Sequence, residues 1–296
     1  MTVRFRNYTS QAGITDDYYK VRDLIVKLGY SEFVYARWDW MATHSYLDKS
    51  AVGKIGLWED NGKIIGIATY DTILGNAYCL AFPDYSYLKK EMLMYAKENL
   101  RGEKRFGIVI PDSDFRFQDV AAELGFIATP STENDSVFYI DKTPTSYTLP
   151  SGFGITSMKD NYERYKYRSV LWKGFNHEAK GEGELVYTEE TDKDVDEEMI
   201  RPYVDLNLKI AVVGPDGNFV SYCGMWYEPK AGFAIIEPVA TDPAYRKMGL
   251  GKAAVLEGIK RVSELGAKIA FVGSNQQFYY SIGLRPYATS SVWIER

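Results

Sequence analysis

The chain has 296 residues with 46% apolar and 15% aromatic content, enough to fill one large domain or two ordinary ones. Its net charge of −5 argues against nucleic acid or an anionic membrane as a partner, because both need a basic surface. No apolar run approaches the roughly 20 residues that span a bilayer, and no signal-peptide core is present, so we expect a cytoplasmic protein.

The cysteines and histidines do not form a metal-binding pattern. Cys79 and Cys223 each fall in a strand-like apolar run, which predicts buried thiols in a reducing compartment. His44 and His177 have no second Cys or His at ligand spacing, so no metal site is expected.

The first half of the chain alternates strand and helix patterns. The apolar stripe of Asp16–Leu28 predicts a helix that its first aspartate can cap. Asn61-Gly62 between two apolar runs predicts a hairpin. The predicted series is strand 3–8, helix 16–28, strands 54–58, 63–69 and 74–82, helix 88–100, strand 106–110, helix 115–124 and strand 136–140.

A proline-containing segment, rich in small polar residues, separates this half from the next. Residues 143–152 include Pro144 and Pro150, a composition typical of linkers. We therefore predict one domain at 1–142, a linker at 143–152 and a second domain at 153–296.

The pattern then starts again. The predicted series is strand 153–155, helix 161–175, an acidic loop or exposed helix face at 181–198, strands 209–213, 219–226 and 233–240, helix 249–264, strand 268–272 and helix 276–282. Lys54 and Lys209 begin similar hairpins 155 positions apart, and Gly125 and Gly283 end similar helices 158 positions apart. The predicted fold class is α/β (α+β), with two tandem copies that each place helices around a mixed sheet.

The strongest chemical signal is a glycine-rich segment between a predicted strand and a predicted helix. It extends from Glu237 to Lys252 and includes Arg246-Lys247-Met248-Gly249-Leu250-Gly251-Lys252. The first turn of a helix has unpaired N–H groups and a partial positive charge, and glycines there let the backbone approach a phosphate. Together with the basic side chains, these features predict a ligand that carries phosphate.

Three phosphate-binding motifs compete for this segment. A P-loop needs Gly at 246 and Ser or Thr at 253, but these residues are Arg246 and Ala253. A dinucleotide fingerprint fits from Gly249 onwards, but the next strand supplies no acidic residue for a ribose. The spacing of Arg246, Gly249 and Gly251 fits R-x-x-G-x-G and resembles the pyrophosphate turn of GNAT-superfamily N-acetyltransferases.

The resemblance extends from Lys209 to the C-terminus. Tyr279 to Leu284 follows the family ending Tyr-x-x-x-Gly-Phe, with Leu for Phe, and Asn275 stands at the family's asparagine that contacts the cofactor arm. The resemblance implies acetyl-CoA as the cofactor. Its pantetheine would bind the backbone of Val239, Ala240 and Thr241 as an added strand. The pyrophosphate would lie on the N–H groups of Lys247, Met248, Gly249, Leu250, Gly251 and Lys252, with Arg246 fixing the turn or touching a phosphate.

Acetyl transfer to an amine needs a base for the nitrogen proton and an acid for the departing thiolate. Tyr279 stands at the family position of that acid. Glu237 is the candidate base, because it interrupts an apolar strand just before the cofactor turn, where a carboxylate should have a raised pKa. Contact between Glu237 and the acceptor is the alternative.

The first half departs from the family pattern at both places. Residues 82–91 contain no glycine where the pyrophosphate turn should be, and Ala121 stands where the tyrosine should be. We therefore expect a degenerate GNAT-like domain without a cofactor motif, which serves as a scaffold or as one wall of the acceptor cleft.

The predicted function is direct, acetyl-CoA-dependent acetyl transfer to a primary amine of a small molecule or peptide, without a metal. A CoA-binding sensor or scaffold without turnover, and a transferase that uses another acyl-CoA, are the alternatives. Aminoacyl-transferring tandem folds of related shape lack the R-x-x-G-x-G turn and rank lower.

Overall fold

The computed structural model describes residues 3–42, 44–103 and 105–296. The chain forms two compact units. The first contains the residues up to Asp135 together with Tyr287–Arg296, and the second contains Ser136–Pro286. No helix in the described ranges is long and apolar enough to cross a bilayer.

The first unit is a mixed sheet with helices. Its strands are β1 (Arg4–Asn7), β2 (Gly56–Asp60), β3 (Lys63–Tyr70), β4 (Asn76–Ala81), β5 (Gly107–Pro111) and most of β6 (Phe126–Tyr139) and β12 (Arg285–Glu295). Its helices are α1 (Asp16–Leu28), α2 (Tyr35–Met41), α3 (Lys89–Asn99) and α4 (Phe115–Glu123). The strand order is β1-β2-β3-β4-β5-β12-β6, in which β4 and β5 run parallel.

The second unit repeats this architecture. Its strands are β7 (Gly154–Ser157), β8 (Lys209–Val213), β9 (Phe219–Glu228), β10 (Phe233–Thr241), β11 (Ile269–Val272) and the end of β6. Its helices are α5 (Arg164–Gly174), α6 (Glu189–Met199), α7 (Leu250–Glu264) and α8 (Gln277–Ser281). The strand order is β7-β8-β9-β10-β11-β6, in which β10 and β11 run parallel.

The sheet of the second unit has an apolar core on each face. Ile210 and Val212 of β8 join the core formed with α7, whereas Ala211 packs with residues of α5 and α6. This division follows from the alternation of side chains along a strand. It distinguishes an α7 face of the sheet from an α5/α6 face.

The two copies have the same order of elements: a strand, two helices, three strands, a helix, a strand, a helix and a last strand. The predicted tandem α/β architecture is confirmed. The helix α2 was not predicted, since its sequence YARWDWM has no clear apolar stripe. The acidic stretch predicted as a loop or exposed helix face contains α6, which begins with a capping box between Thr188 and Thr191.

The unit boundaries differ from the predicted domains at 1–142 and 153–296, because the copies exchange their last strands. β12, which ends the second copy, pairs with β5, while Ser136–Tyr139 at the end of β6 pairs with β11. The predicted linker at 143–152 lies within the second unit, where the Tyr147 hydroxyl donates to Glu257 of α7 at 2.8 Å.

Candidate active site

The parallel strands β10 and β11 separate towards the carboxyl end of β10. They pair over Phe233–Ile235, whereas β10 continues to Thr241 along β9. A bulge at Glu237-Pro238 shifts the register of β10 against β9. Beyond the bulge, the edge of β10 that faces away from β9 is therefore open to an added strand.

Two residues of β9 hold this bulge, and sequence analysis identified neither. A Cβ atom at Gly224 would lie 2.5 Å from the carbonyl oxygen of Glu237, so the close approach of the two strands requires glycine. The indole Nε1 of Trp226 donates to the same carbonyl oxygen at 3.0 Å. The backbone at Glu237 is thus fixed from the neighbouring strand.

The backbone direction of β10 identifies which residues face the open edge. The N–H of Asp242 donates to the carbonyl of Val220 at 3.0 Å and so points towards β9. Because backbone groups alternate along a strand, Ala240 also points towards β9, whereas Val239 and Thr241 point to the open edge. Of the three residues predicted to hold pantetheine by their backbone, Val239 and Thr241 are therefore oriented for it and Ala240 is not.

The chain turns sharply after β10. A short 3-10 turn at Pro243–Tyr245 is followed by left-handed residues at Lys247, with φ of 65°, and Gly249, with φ of 82°. The space beside Gly249 is open, since a Cβ atom there would have no neighbour within 4 Å. The turn thus exposes backbone at the start of α7.

The first turn of α7 has no side-chain cap. Ala253 is the first residue of the helix whose N–H donates to a carbonyl of the same helix end, that of Gly249, at 3.0 Å. The N–H groups of Leu250, Gly251 and Lys252 therefore lack partners within the helix and point out of its end. This is the arrangement that binds phosphate.

Arg246 stabilises the turn by hydrogen bonds from its side chain. Its guanidinium donates to the carbonyl of Thr241 at 3.2 Å, the carbonyl of Gly174 at 2.8 Å and Oδ1 of Asn176 at 2.9 Å. Of the two roles predicted for Arg246, fixing the turn is the one that these contacts support. The contacts of Arg246 with Gly174 and Asn176, at and just after the end of α5, were not predicted, because these residues lie about 70 positions earlier in the chain.

Four more predicted cofactor residues lie in the turn, in the first turn of α7 or in the loop before α8. Lys247, Met248 and Lys252 are exposed, and neither lysine pairs with a carboxylate in the described ranges. Asn275 is exposed in the loop between β11 and α8. Lysines without an ion-pair partner, next to N–H groups without a hydrogen-bond acceptor, favour binding of a negatively charged pyrophosphate. The predicted residues therefore suit an acyl-CoA ligand.

Tyr279 lies on α8 with 7% of its surface exposed. Its hydroxyl makes no hydrogen bond to a described residue. Burial raises the pKa of this phenol, and the charges of Cys223 and Glu237 act in the same direction. Tyr279 is therefore protonated near neutral pH and faces the central strands of the second unit.

Glu237 lies in the bulge at the start of the open edge. Its side chain is exposed, whereas the strand pattern predicted a carboxylate among apolar residues. The pattern does not reveal the bulge, which turns the side chain out of the regular alternation. Glu237 thus lies next to the opening.

The second unit offers no thiol for a covalent mechanism. Cys223 is fully buried, and burial raises its pKa to about 12, so the thiol stays protonated. In the described part of the chain, no three His, Cys, Asp or Glu side chains are grouped to hold a metal ion.

Comparison with known proteins agrees with this geometry. Residues 172–283 match the acetyltransferase (GNAT) family model, whereas no curated protein matches the chain. A GCN5-related N-acetyltransferase from Sphaerobacter thermophilus has a TM-score of 0.59 at 14% identity, with 98% of this chain and 94% of that chain covered.

Two further structures show the same fold. A tandem GNAT protein from the clavulanic acid biosynthesis pathway has a TM-score of 0.61 at 11% identity, with 99% and 98% of the chains covered. The C-terminal domain of a putative lysylphosphatidylglycerol synthetase from Agrobacterium fabrum has a TM-score of 0.56 at 11% identity, with 95% and 92% covered. At these identities the likeness is one of fold. Residues 172–283 thus resemble the GNAT family, and the chain as a whole has the fold of tandem GNAT proteins.

Proposed function

We propose that this protein is an acetyl-CoA-dependent N-acetyltransferase that acts on a primary amine of a small molecule or peptide. The observation that carries the proposal is the open edge of β10 leading to the uncapped start of α7. Members of the GNAT family generally transfer an acyl group from acyl-CoA. The acetyl group and the amine acceptor are the finer parts of the proposal.

The chain's own residues would hold the donor at two places. The backbone of Val239 and Thr241 offers hydrogen bonds to the amides of pantetheine. The N–H groups of Leu250, Gly251 and Lys252 offer hydrogen bonds to the pyrophosphate, with Lys247 adding charge. Bound acetyl-CoA would supply an activated thioester carbonyl.

Tyr279 would assist departure of the thiolate. Because its pKa is raised, its hydroxyl keeps its proton at neutral pH and can donate a hydrogen bond to sulfur. Full proton transfer to a thiolate, whose conjugate acid has a pKa of about 8.5, would be unfavourable from so weak an acid. The main contribution of Tyr279 is therefore stabilisation of developing negative charge.

Glu237 would accept a proton from the attacking amine, directly or through a water. Its exposure at the edge of the opening leaves it accessible to an acceptor from solvent. The reaction forms a C–N bond and breaks the C–S bond. Glu237 passes the proton from nitrogen to solvent, and solvent protonates the thiolate that leaves, which Tyr279 stabilises by its hydrogen bond. The buried, protonated Cys223 supports direct transfer without an acyl-enzyme.

The alternative is a CoA-binding sensor or scaffold without turnover. The presence of both Tyr279 and Glu237 argues against this alternative, because a protein that only binds CoA needs neither. A transferase that uses another acyl-CoA would keep the same turn and differ at the acyl end. Aminoacyl transfer, suggested by the likeness to the synthetase domain, would not need the phosphate turn at α7.

The test is release of thiol from acetyl-, propionyl- and succinyl-CoA in the presence of a panel of primary amines. Turnover of acetyl-CoA with at least one amine is expected, and Tyr279→Phe should lower it. Tight CoA binding without turnover of any donor and amine would favour the sensor.

A further inference from the structure

Lys209, the first residue of β8, is buried in the second unit with 4% of its surface exposed. Its ammonium has no described carboxylate within ion-pair distance. Nζ donates to the carbonyl of Met225 at 3.2 Å and lies 3.9 Å from the centroid of the Trp226 ring. Lysines are rarely buried without a paired partner, so this one calls for an explanation beyond packing.

The contacts of Lys209 lead across three strands to the bulge. Lys209 stands opposite Gly224 in the register of β8 and β9. The ring of Trp226, which Lys209 contacts, donates through Nε1 to the carbonyl oxygen of Glu237 at 3.0 Å. The lysine, the indole and the Glu237 peptide thus form one continuous chain of contacts.

We propose that Lys209 is a positioning residue for acyl transfer, which holds Trp226 against the Glu237 carbonyl and so fixes the bulge next to the acceptor. The inference rests on the proposed function. It assigns a role to a buried charge that neither the donor site nor the proposed proton transfers use. Trp226 carries the effect, because a cation against an indole face restrains the ring.

The charge on Lys209 depends on pH. Burial lowers its pKa to about 8, while Glu198 on α6, Cys223 on β9 and Glu237 on β10 oppose the loss of its proton and Arg201 favours it. Above this pH the neutral amine loses its attraction to the indole ring. The restraint on the Glu237 peptide should then weaken.

Three variants separate positioning from packing. Lys209→Met keeps a long unbranched side chain but removes the charge, and Trp226→Phe keeps an aromatic ring but removes the N–H donor. Their double variant tests whether the two residues act as one unit. Lys230→Met, at an exposed lysine just after β9, is the matched control.

We expect each single variant to lower kcat for the amine about tenfold, because small displacements at a reacting group are costly. The affinity for CoA should not change, and the double variant should lose no more than the worse single variant. Unchanged kcat in folded Lys209→Met, or losses that multiply in the double variant, would overturn the inference.

A second readout does not depend on turnover. In protein labelled with 5-fluorotryptophan, the 19F signal of Trp226 is assigned by its absence in Trp226→Phe. It should shift with a midpoint near pH 8 in the wild type and not in Lys209→Met. If no amine is acetylated but the signal behaves in this way, the proposed function fails while the contact between Lys209 and Trp226 stands. A signal with the same pH response in both proteins would refute that contact.

Discussion

The two copies differ most where their parallel strands end. In the first copy, Lys89 at the start of α3 forms an ion pair with Asp114, which precedes α4. Nζ of Lys89 also lies 4.7 Å from the ring centroid of Phe117. These contacts join the start of α3 to the first turn of α4.

In the second copy, the turn before α7 contains Lys247, which is left-handed and exposed. By contrast, no residue from Phe82 to Lys89 has a left-handed backbone. Asp114 is the N-cap residue of α4, whereas the N-cap residue of α8 is Gln276, which has no charge to pair with a lysine. The two copies therefore differ by a few side chains and one backbone turn at the predicted phosphate site.

The comparison predicts its largest effect at Tyr279, whose counterpart in the first copy is Ala121. Tyr279→Phe should lower kcat about 100-fold, because loss of a positioned acid or donor typically costs that much. The affinity for CoA should not change. Calorimetry measures this affinity, and steady-state thiol release measures kcat. Tyr280→Phe is the control, and an equal loss in both variants would argue against a specific role for the Tyr279 hydroxyl.

Charge reversal at the turn should give the next largest effect. Lys247→Glu combined with Lys252→Glu should weaken CoA binding about 10- to 100-fold, since charge-assisted hydrogen bonds contribute about 1.5–3 kcal/mol. Both side chains are exposed, so the melting temperature should stay the same. Lys260→Glu, further along α7, should bind CoA like the wild type. A substitution at Gly249 is less informative, because its φ of 82° strains any other residue.

Arg246→Lys should weaken CoA binding about 3- to 10-fold. A lysine keeps the charge but cannot make the three contacts of the planar guanidinium to Thr241, Gly174 and Asn176. If the charge alone matters, calorimetry will find the affinity unchanged.

In the first copy, Lys89→Met should affect stability and not CoA binding. The pair with Asp114 is largely buried, with side-chain exposures of 15% and 28%. Without the ammonium, the Asp114 carboxylate keeps, among the described residues, only its helix-cap hydrogen bond from the N–H of Phe117, which should lower the free energy of unfolding by about 1–3 kcal/mol. Chemical denaturation measures the loss, and reduced CoA affinity would show that the first copy contributes to the donor site.

The smallest effect concerns Glu32, also in the first copy. Burial raises the pKa of its carboxyl to about 7, and its Oε1 has no hydrogen-bond partner. The folded state therefore binds this proton more tightly than the unfolded chain, so the contribution of Glu32 to stability falls as pH rises from about 4.5 to 7 and then stays constant. Glu32→Gln should gain stability relative to the wild type over this range, as measured by denaturation at several pH values. A difference in stability between Glu32→Gln and the wild type that does not change with pH would contradict the raised pKa of Glu32.

Local signals predicted most of the fold. The helix at Asp16–Leu28 has the predicted bounds, and the turns at Asn61-Gly62 and Asp216-Gly217 lie in the two hairpins. The exchange of β6 and β12 was not predictable, because each is simply the last strand of its copy. The local sequence pattern does not indicate whether such a last strand pairs with a strand of its own copy or of the other copy.

The turn before α7 was predictable for the same reason. Its glycines and lysines lie within one short segment, so the turn at Gly249 is encoded locally, while the binding of acyl-CoA there stays a prediction. Gly224, Trp226 and Lys209 were missed, since their roles arise from contacts across strands. The exposure of Glu237 was also missed, because only the register of β10 against β9 reveals the bulge.

We expect acyl-CoA to bind only to the second copy. Calorimetric titration of the full chain with CoA should then give one CoA bound per chain, with binding strongly weakened in the variant that carries Lys247→Glu and Lys252→Glu. Two molecules bound per chain, or full affinity in that variant, would contradict it.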